Sequence, residues 1–400
     1  MNAIYVHIPF CSCFCAYCNF YSVKNLKNQS NYIKALIHEI ELEGNFFKNS
    51  EYKTYSLYYG GGTPSVLDIS HLSLITKTIR DIFHINCFKE FTIEVNPDDI
   101  TLVYAKELYN LGINRISMGV QSFNEERLRW MNRRHTAHEA IVAYEILRKV
   151  GFKNISLDLI FGYNPMSLKE WAENLDTLIS LKPEHISAYQ MSIERGTPLW
   201  KEYESGYYEL LSQEECAKQY RLLQDKLSGA GYIQYEISNF ALPKQISLND
   251  DVIGTDTFAS LHNSSYWNGT PYLGLGPGAH SFTGSKGVDI SDKKLIRRWN
   301  KSNLTKYIDV FSNHLDSISV RGYERLTRRD VFNEYIMLGL RKVEGISWPI
   351  DMLTNAELDN FKNVVKRLIS ENNLKYSDGR LFIPHERLFV SDMIIRDLII

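Results

Sequence analysis

Short apolar runs alternate with longer amphipathic stretches through the first half of the chain. The runs are rich in β-branched and aromatic residues, which favour strands, and the stretches carry apolar residues at helical spacing. Predicted strands cover 4–8, 55–59, 91–95, 115–120, 155–161 and 185–190, and predicted helices cover 32–47, 72–83, 102–111, 137–150 and 167–181. Strands that alternate with helices predict an α/β fold with a parallel sheet.

Six such units predict a partial (β/α)6 barrel of the TIM type, with a doubly wound open sheet as the alternative. The pattern changes after Tyr232, because 238–278 is rich in turn formers and 248–260 has the composition of a surface loop. Later spacing predicts helices over 304–314, 328–341, 355–370 and 389–398, and a hairpin over 374–384. We therefore predict a C-terminal α+β, winged-helix-like domain, with divisions at 1–235, 236–302 and 303–400.

The composition is that of a soluble globular protein, with 44% hydrophobic and 23% charged residues among 400. A net charge of −2 gives no reason to expect a nucleic-acid surface. No apolar run approaches the length of a membrane-spanning helix, and the first residues do not have the pattern of a secretory signal. Closely spaced unpaired thiols predict a reducing compartment, so we expect a cytoplasmic protein.

Three cysteines near the start have the spacing C-x3-C-x2-C: Cys11, Cys15 and Cys18. Three thiolates can hold three corners of a [4Fe-4S] cluster and leave the fourth iron open, whereas electron-transfer clusters take four protein ligands. Cys13 lies within the same run, so a four-cysteine zinc site is an alternative, as are unrelated buried thiols. The isolated Cys87 and Cys216 are expected to be small buried residues.

Unusual residues follow five predicted strands at their carboxyl ends, the edge at which barrel enzymes place their chemistry. They are the cysteine run, Gly60-Gly61-Gly62-Thr63-Pro64, Glu94, Gln121 with Ser122, and Asp158 with Gly162. Each feature is weak alone, since a triple glycine is usually a turn and a carboxylate at a strand end is usually solvated. Five features at equivalent strand ends indicate one site.

These residue types predict a ligand with an amino acid at one end and a nucleoside at the other. The glycine backbone would approach such a ligand closely, and Glu94 would accept hydrogen bonds from ribose hydroxyls. Arg133 would pair with a carboxylate, and Asp158 would accept a further donor. Tyr17 would stack on a purine, or only pack the loop. S-adenosylmethionine (SAM) fits this description, and its amino and carboxylate groups would chelate the open iron.

Three segments resemble the radical SAM superfamily: Cys11-x3-Cys15-x2-Cys18, Gly60-Gly-Gly-Thr-Pro64 and Gly119-Val-Gln-Ser-Phe123. More narrowly, they resemble the branch that contains oxygen-independent coproporphyrinogen dehydrogenase. The resemblance continues through 186–189, 194–198, 235–240, 262–267, 274–281 and 297–300. It implies a radical-SAM barrel, a [4Fe-4S] cluster on the three cysteines, and SAM contacts at Tyr5, Tyr17, Gly61, Gly62, Thr63, Glu94, Gln121, Arg133 and Asp158.

Within that branch the chain is more similar to the HemW-type heme chaperones. The dehydrogenase has a further cysteine where this chain has Phe20, and it has an N-terminal extension that this chain lacks. The segment His262-Asn-Ser-Ser-Tyr-Trp267 resembles the heme-binding motif of the chaperones, which implies His262 as heme ligand, with His280 as its competitor. Two features depart from the family pattern, namely Cys13 and the length of the stretch 241–261.

The resemblance implies a chaperone that binds heme, the cluster and SAM, and that passes heme to recipient hemoproteins such as respiratory-chain enzymes. It implies no coproporphyrinogen dehydrogenase activity. The alternatives are that dehydrogenase, which decarboxylates coproporphyrinogen by a radical route, and a non-heme radical enzyme or structural protein. The recipient, a transient contact with a membrane protein, a homodimer and the cleavage of SAM are left open.

Overall fold

The computed structural model describes residues 1–244, 256–283, 295–349 and 352–400, so most of the predicted loop 248–260 lies outside the described residues. The strands are β1 Asn2–Ile8, β2 Tyr55–Gly61, β3 Glu90–Val95, β4 Arg115–Gln121, β5 Ile155–Phe161, β6 His185–Gln190, β7 Ile233–Gln234, β8 Asn239–Ala241, β9 Tyr272–Leu275, β10 His280–Phe282, β11 Ile296–Asn300, β12 Arg321–Arg325, β13 Ile346–Ser347, β14 Lys375–Ser377 and β15 Arg380–Phe382. The helices are α1 Gln29–Leu42, α2 Ile69–Phe83, α3 Leu102–Leu111, α4 Glu125–Trp130, α5 Ala137–Val150, α6 Leu168–Leu181, α7 Pro198–Glu204, α8 Gln213–Gly229, α9 Leu261–Trp267, α10 Leu304–Ser312, α11 Arg328–Gly339, α12 Asn355–Ser370 and α13 Ser391–Leu398.

Strands β1 to β6 lie side by side in chain order, and each neighbouring pair is parallel. The strand order does not reverse within this set, so the doubly wound alternative is wrong. Further strands extend the same sheet on both sides, giving the order β12-β11-β10-β9-β1-β2-β3-β4-β5-β6-β8-β7 among the described residues. The outermost strands, β12 and β7, do not pair with each other, so the barrel is partial, and the predicted α/β barrel class is confirmed.

Helix ends in the barrel follow local capping chemistry. Thr136 caps α5 in a reciprocal box with Glu139, and Gly151 ends this helix with a φ of 116°. Thr101 caps α3, and Gly112 ends it in the same left-handed conformation. The predicted helix 32–47 is instead Gln29–Leu42, because residues 43–49 form turns after its last residue.

The two faces of the first six strands differ in chemistry. Outward-pointing residues, such as Ile4, Leu57 and Ile93, are fully buried beneath the helices and form the core. Inward-pointing residues are largely polar, and register places Glu94 beside Ser117 on the next strand. Because side chains alternate between faces, the polar set lines the barrel interior.

The C-terminal region has a second, smaller sheet. Its order is β13-β15-β14, with both pairs antiparallel, and β14 and β15 form the predicted hairpin. Helices α11 and α12 precede that hairpin and α13 follows it, which confirms the winged-helix-like α+β class. The divisions near 235 and 302 stay predictions. In the described part of the chain, none of the helices is both long and apolar enough to span a bilayer.

Candidate functional site

A cavity of about 750 Å³ lies at the carboxyl ends of the barrel strands. The residues that line it come from the cysteine loop and from β2 to β6. Most residues predicted from the sequence are among them, namely Cys11, Cys13, Cys15, Tyr17, Cys18, Gly61, Gly62, Thr63, Glu94, Gln121, Arg133 and Asp158. Two predicted residues, Tyr5 and His262, do not line the cavity. The Tyr5 hydroxyl lies 3.0 Å from Nδ1 of His7, below the loop.

The cysteine loop is held by backbone hydrogen bonds at both of its ends and at its centre. Cys11 N donates to the Val23 carbonyl at 3.1 Å, and Val23 N donates to the Pro9 carbonyl at 2.7 Å. At the centre, Ala16 N donates to the Met131 carbonyl, 3.1 Å away. These hydrogen bonds fix the path of the loop between β1 and the segment that follows α4.

The cysteine sulfurs differ in their surroundings. Cys11 Sγ lies 2.8 Å from the Cys13 carbonyl and 3.2 Å from Thr63 Oγ1, and Cys15 Sγ accepts from Arg133 Nη1 at 3.2 Å. Burial raises the pKa of Cys18 to about 11. Cys13 Sγ instead accepts from Asn132 Nδ2, at 3.1 Å on the exposed side of the loop.

The four closely spaced cysteines share the lining of the cavity. Cys11, Cys13, Cys15 and Cys18 are all half-buried, and hydrogen bonds to cysteine sulfur of the kind seen at Cys15 tune iron–sulfur centres. Among the described residues, no three His, Cys, Asp or Glu side chains are grouped so that they could hold one metal ion. The geometry therefore gives the zinc alternative no support. Of the isolated cysteines, Cys216 is buried as expected, whereas Cys87 is exposed, so that expectation was wrong.

The triple glycine is required by close backbone packing. Gly61 has a φ of 118°, and a Cβ there would lie 2.8 Å from Cε1 of His7. A Cβ on Gly62 would lie 2.6 Å from the Phe10 carbonyl oxygen. Gly62 N also donates to the Ile8 carbonyl at 2.9 Å. Any larger residue would push the end of β2 away from β1 and the cysteine loop.

Glu94 is a carboxyl group held at the cavity wall by two donors. Tyr58 Oη donates to it at 2.8 Å, and Gly61 N donates at 3.2 Å. Burial raises the pKa of Glu94 to about 7, although the Tyr58 hydrogen bond acts in the opposite direction. Asp158 accepts from the hydroxyls of Ser117 and Ser156 at 3.2 and 3.1 Å, and burial raises its pKa too.

Arg133 connects the cysteine loop to two strand ends. Its Nη2 donates to Asn96 Oδ1 at 2.8 Å and to the Gly119 carbonyl at 2.7 Å, while Nη1 reaches Cys15. Its Nε is buried and has no hydrogen-bond partner within the described residues. Gln121, at the end of β4, has a φ of 68° beside a bulge in the β4–β5 pairing. Such strain is concentrated at functional sites.

His262 lies on α9, away from the cysteines. Its Nδ1 is 2.9 Å from Ser56 Oγ, its Nε2 is 2.9 Å from Tyr266 Oη, and its ring stacks on Tyr58 with centroids 4.9 Å apart. The side chain is 1% exposed, and burial, followed by the charge of Arg115, lowers its pKa to about 3. As placed, neither ring nitrogen is free to bind iron. The competitor, His280, is exposed and stacks on Trp299.

Residues 5–178 match the family model of the Radical SAM superfamily. The heme chaperone HemW of Bacillus subtilis is 31% identical over 391 residues, which cover 96% of each chain. The chain belongs to the HemW family. A second relative, the mitochondrial radical S-adenosyl methionine domain-containing protein 1 of Danio rerio, is 32% identical over 389 residues, covering 96% of this chain and 82% of its own.

The fold of this HemW-family chain is similar to that of coproporphyrinogen III oxidase (HemN) from Escherichia coli, a protein described as a radical SAM enzyme. The TM-score is 0.77 at 22% identity, and the match covers 99% of this chain and 89% of the other. That identity is low enough that the likeness concerns the fold alone.

Sequence reasoning missed several cavity residues of this HemW-family chain: Arg115, Ser117, Ser187, Tyr189 and Asn263. The first four lie at inward positions of β4 and β6, and Asn263 lies on α9. The available signal was the alternation of polar and apolar residues within the predicted strands, Arg-Ile-Ser-Met in β4 and His-Ile-Ser-Ala in β6.

Proposed function

We propose that this protein binds heme and passes it to recipient hemoproteins, with a [4Fe-4S] cluster and SAM bound in the barrel. The observation that carries the proposal is 31% identity over nearly the whole chain to a protein named as a heme chaperone. The three cysteines on one wall of a cavity lined by polar strand ends support the cofactor part. We place the protein in the cytoplasm on the strength of its unpaired thiols.

In this proposal Cys11, Cys15 and Cys18 hold the cluster, which when bound supplies an iron with a free coordination position. The residues proposed to hold SAM are Tyr5, Tyr17, Gly61, Gly62, Thr63, Glu94, Gln121, Arg133 and Asp158. Glu94 would accept hydrogen bonds from ribose hydroxyls, most strongly when it is ionised. Arg133 already orients Cys15, and its unpartnered Nε leaves one donor for a ligand.

The competing function is radical decarboxylation of coproporphyrinogen. Phe20 stands where we expect that enzyme to have a further cysteine, and it is 69% exposed beside the cavity. Its ring can contact an apolar ligand at the mouth but cannot act as a thiol. For this reason we rank the chaperone first.

One experiment separates the two functions. Anaerobically reconstituted protein with SAM is incubated either with coproporphyrinogen or with hemin, and heme-loaded protein is then mixed with an apo-hemoprotein such as apomyoglobin. The proposal predicts stoichiometric hemin binding, transfer to the apoprotein and no decarboxylated product. Turnover of coproporphyrinogen without hemin binding would reverse the ranking.

His262 is proposed as the heme ligand, which requires its Nε2 to exchange Tyr266 for iron. We expect His262→Ala to weaken hemin binding and to alter its visible spectrum while leaving the iron–sulfur absorption unchanged. His280→Ala is the matched control, since His280 is the exposed one of the two candidate ligands. If only His280→Ala changes the visible spectrum of bound hemin, the heme ligand is His280 on β10.

A further inference from the structure

Arg115 is a buried guanidinium at the inner end of the cavity, and it has no partner in the described part of the chain. The residue is 1% exposed, yet it lines the cavity. Its Nε has no hydrogen-bond partner, and the side chain forms no ion pair with a described residue. A buried guanidinium without acceptors is costly, and arginine cannot lose its proton to relieve that cost. The guanidinium therefore has hydrogen-bonding capacity left for an acceptor on a ligand.

The nearest carboxyl groups already have donors of their own. Glu94 is bonded by Tyr58 and by a backbone N–H, and Asp158 is bonded by serine hydroxyls. Glu90 accepts from Ser260 Oγ and from the backbone N–H groups of residues 261 and 262. None of the three accepts a hydrogen bond from Arg115, although the positive charge of Arg115 acts to lower the pKa of both Glu94 and Asp158.

The histidines around Arg115 add no second cation. His185 is bonded to Ser156 Oγ and Tyr235 Oη, and His262 to Ser56 and Tyr266. Burial and then the charge of Arg115 lower the pKa of both rings, so both are neutral. Among the described residues at the inner end of the cavity, Arg115 is therefore the positively charged group, and its neighbours are neutral or acidic.

Arg115 lies far below the other cationic position of the cavity. It is the first residue of β4, whereas Arg133 is bonded to the carbonyl of Gly119, four residues further along that strand. At the rise of a strand, four residues separate the two levels by roughly 13 Å. The cavity thus offers one guanidinium beside the cysteines and a second at its inner end.

We propose that Arg115 anchors a carboxylate-binding subsite at the inner end of the cavity. Its planar fork matches a carboxylate through two parallel hydrogen bonds. The inference rests on the proposed function, which supplies that group in the propionates of heme. The methionine carboxylate of SAM is already assigned to the open iron beside the cysteines.

The test measures four ligands on the full-length, anaerobically reconstituted protein: hemin, hemin dimethyl ester, SAM and decarboxylated SAM. Arg115→Met removes the charge at similar volume, and Arg115→Lys keeps it. Arg148→Met is the matched control, because Arg148 pairs with Glu184 and Tyr144 outside the cavity. We expect Arg115→Met to weaken hemin binding roughly 10- to 100-fold and to leave the binding of hemin dimethyl ester, SAM and decarboxylated SAM unchanged.

The pattern across ligands identifies the source. A loss for hemin but not for its ester supports a propionate at Arg115. A loss for SAM but not for decarboxylated SAM would place the methionine carboxylate there and overturn the propionate assignment. Unchanged affinity for both acids overturns the subsite. If the wild type binds no hemin, the proposed function fails. The comparison of SAM with decarboxylated SAM then still shows whether Arg115 binds a carboxylate.

Urea unfolding of the ligand-free variants gives a second readout. Removal of an unpaired buried charge should leave the midpoint of Arg115→Met equal to or above that of the wild type, whereas Arg148→Met should lower it. A lowered midpoint for Arg115→Met together with unchanged affinities would mean that Arg115 is a structural charge, which contradicts the proposal.

Discussion

Glu94 is the residue whose protonation state most directly affects the proposed SAM site. Its carboxyl group lines the cavity between Tyr58 and the glycine turn, and burial raises its pKa from 4.5 to about 7. A raised pKa means that the folded protein binds a proton more tightly than the unfolded chain does. Ribose hydroxyls, in contrast, donate best to the ionised carboxylate.

We therefore expect SAM affinity to rise as the pH increases through about 7 and to level off above it. The contribution of Glu94 to the stability of the ligand-free protein should change in the opposite direction, being fully present below about 4.5 and lost as the pH rises through about 7. Titration calorimetry and urea unfolding across this interval measure the two trends. Glu94→Gln should remove the pH dependence of SAM affinity and of stability in this interval. If the variant keeps the wild-type pH dependence, another titrating group is responsible, and Asp158 is the first alternative.

The site was only partly predictable at the level of single residues. Glu94 and Asp158 could be identified because each stands at the end of an apolar strand, where a carboxylate is unusual. Arg115 and Ser187 lie inside the strands, and the sequence does not tell which of two alternating faces points to the cavity until the register is known. His262 was identified by motif resemblance, but the motif carries no information on the buried hydrogen bonds that occupy both ring nitrogens.

At the scale of elements, α9 is attached to the barrel through the carboxylate of Glu90. This residue is 3% exposed at the start of β3 and accepts three hydrogen bonds from residues 260–262. The proposed heme segment is therefore positioned by the first turn of a short helix and by one acidic side chain from the sheet. An acidic group at a helix N-terminus also interacts favourably with the helix dipole.

Glu90→Ala should lower the free energy of unfolding by about 3 kcal/mol, because three buried donors lose a charged acceptor. Urea unfolding followed by circular dichroism gives this value. Glu173→Ala is the control, since Glu173 is exposed and pairs only with Lys169 on the same helix, and it should change stability by less than about 0.5 kcal/mol. Equal effects of the two substitutions would show that α9 does not depend on Glu90.

The bounds of helices and strands could be predicted where hydrophobic periodicity and the capping or turn residues indicate the same ends. The predicted bounds of α3, α5, α12, β5 and β6 are those of the structure. Helix α8 was not predicted because its buried side includes Gln219 and Gln224, which satisfy backbone and side-chain groups of neighbouring segments. The strands β7 to β12 are two to five residues long, too short for a period-two pattern, and they form through pairing with distant segments.

At the scale of the whole molecule, a buried carboxylate joins the barrel to the later strands. Glu39 on α1 is 1% exposed and accepts from Tyr307 Oη at 2.6 Å, from Asn300 Nδ2 at 2.7 Å and from Gly276 N at 2.8 Å. Arg321 completes the network at 3.2 Å. These partners belong to α10, to β11, to the turn after β9 and to β12, so one side chain connects residues far apart in the sequence.

We expect Glu39→Ala to cost about 3 kcal/mol of folding free energy, because the buried donors of Tyr307, Asn300 and Gly276 lose a charged acceptor, whereas Arg321 keeps its ion pair with Glu43. The control is Glu41→Ala on the same helix, whose carboxylate is exposed and meets only His38. Urea unfolding monitored by tryptophan fluorescence and by circular dichroism measures both variants. A loss confined to the range of the control would mean that the Glu39 network does not hold the two parts of the chain together.

The central claim is that three cysteines, without Cys13, hold a cluster with one iron open to SAM. The most direct measurement is electron paramagnetic resonance of the reduced, anaerobically reconstituted protein before and after addition of SAM. The account predicts a [4Fe-4S] signal that changes on SAM addition in the wild type and in Cys13→Ala, and no cluster in Cys11→Ala, Cys15→Ala or Cys18→Ala. A signal that does not change when SAM is added would contradict this assignment. So would a Cys13→Ala variant that loses its iron as completely as the other three variants.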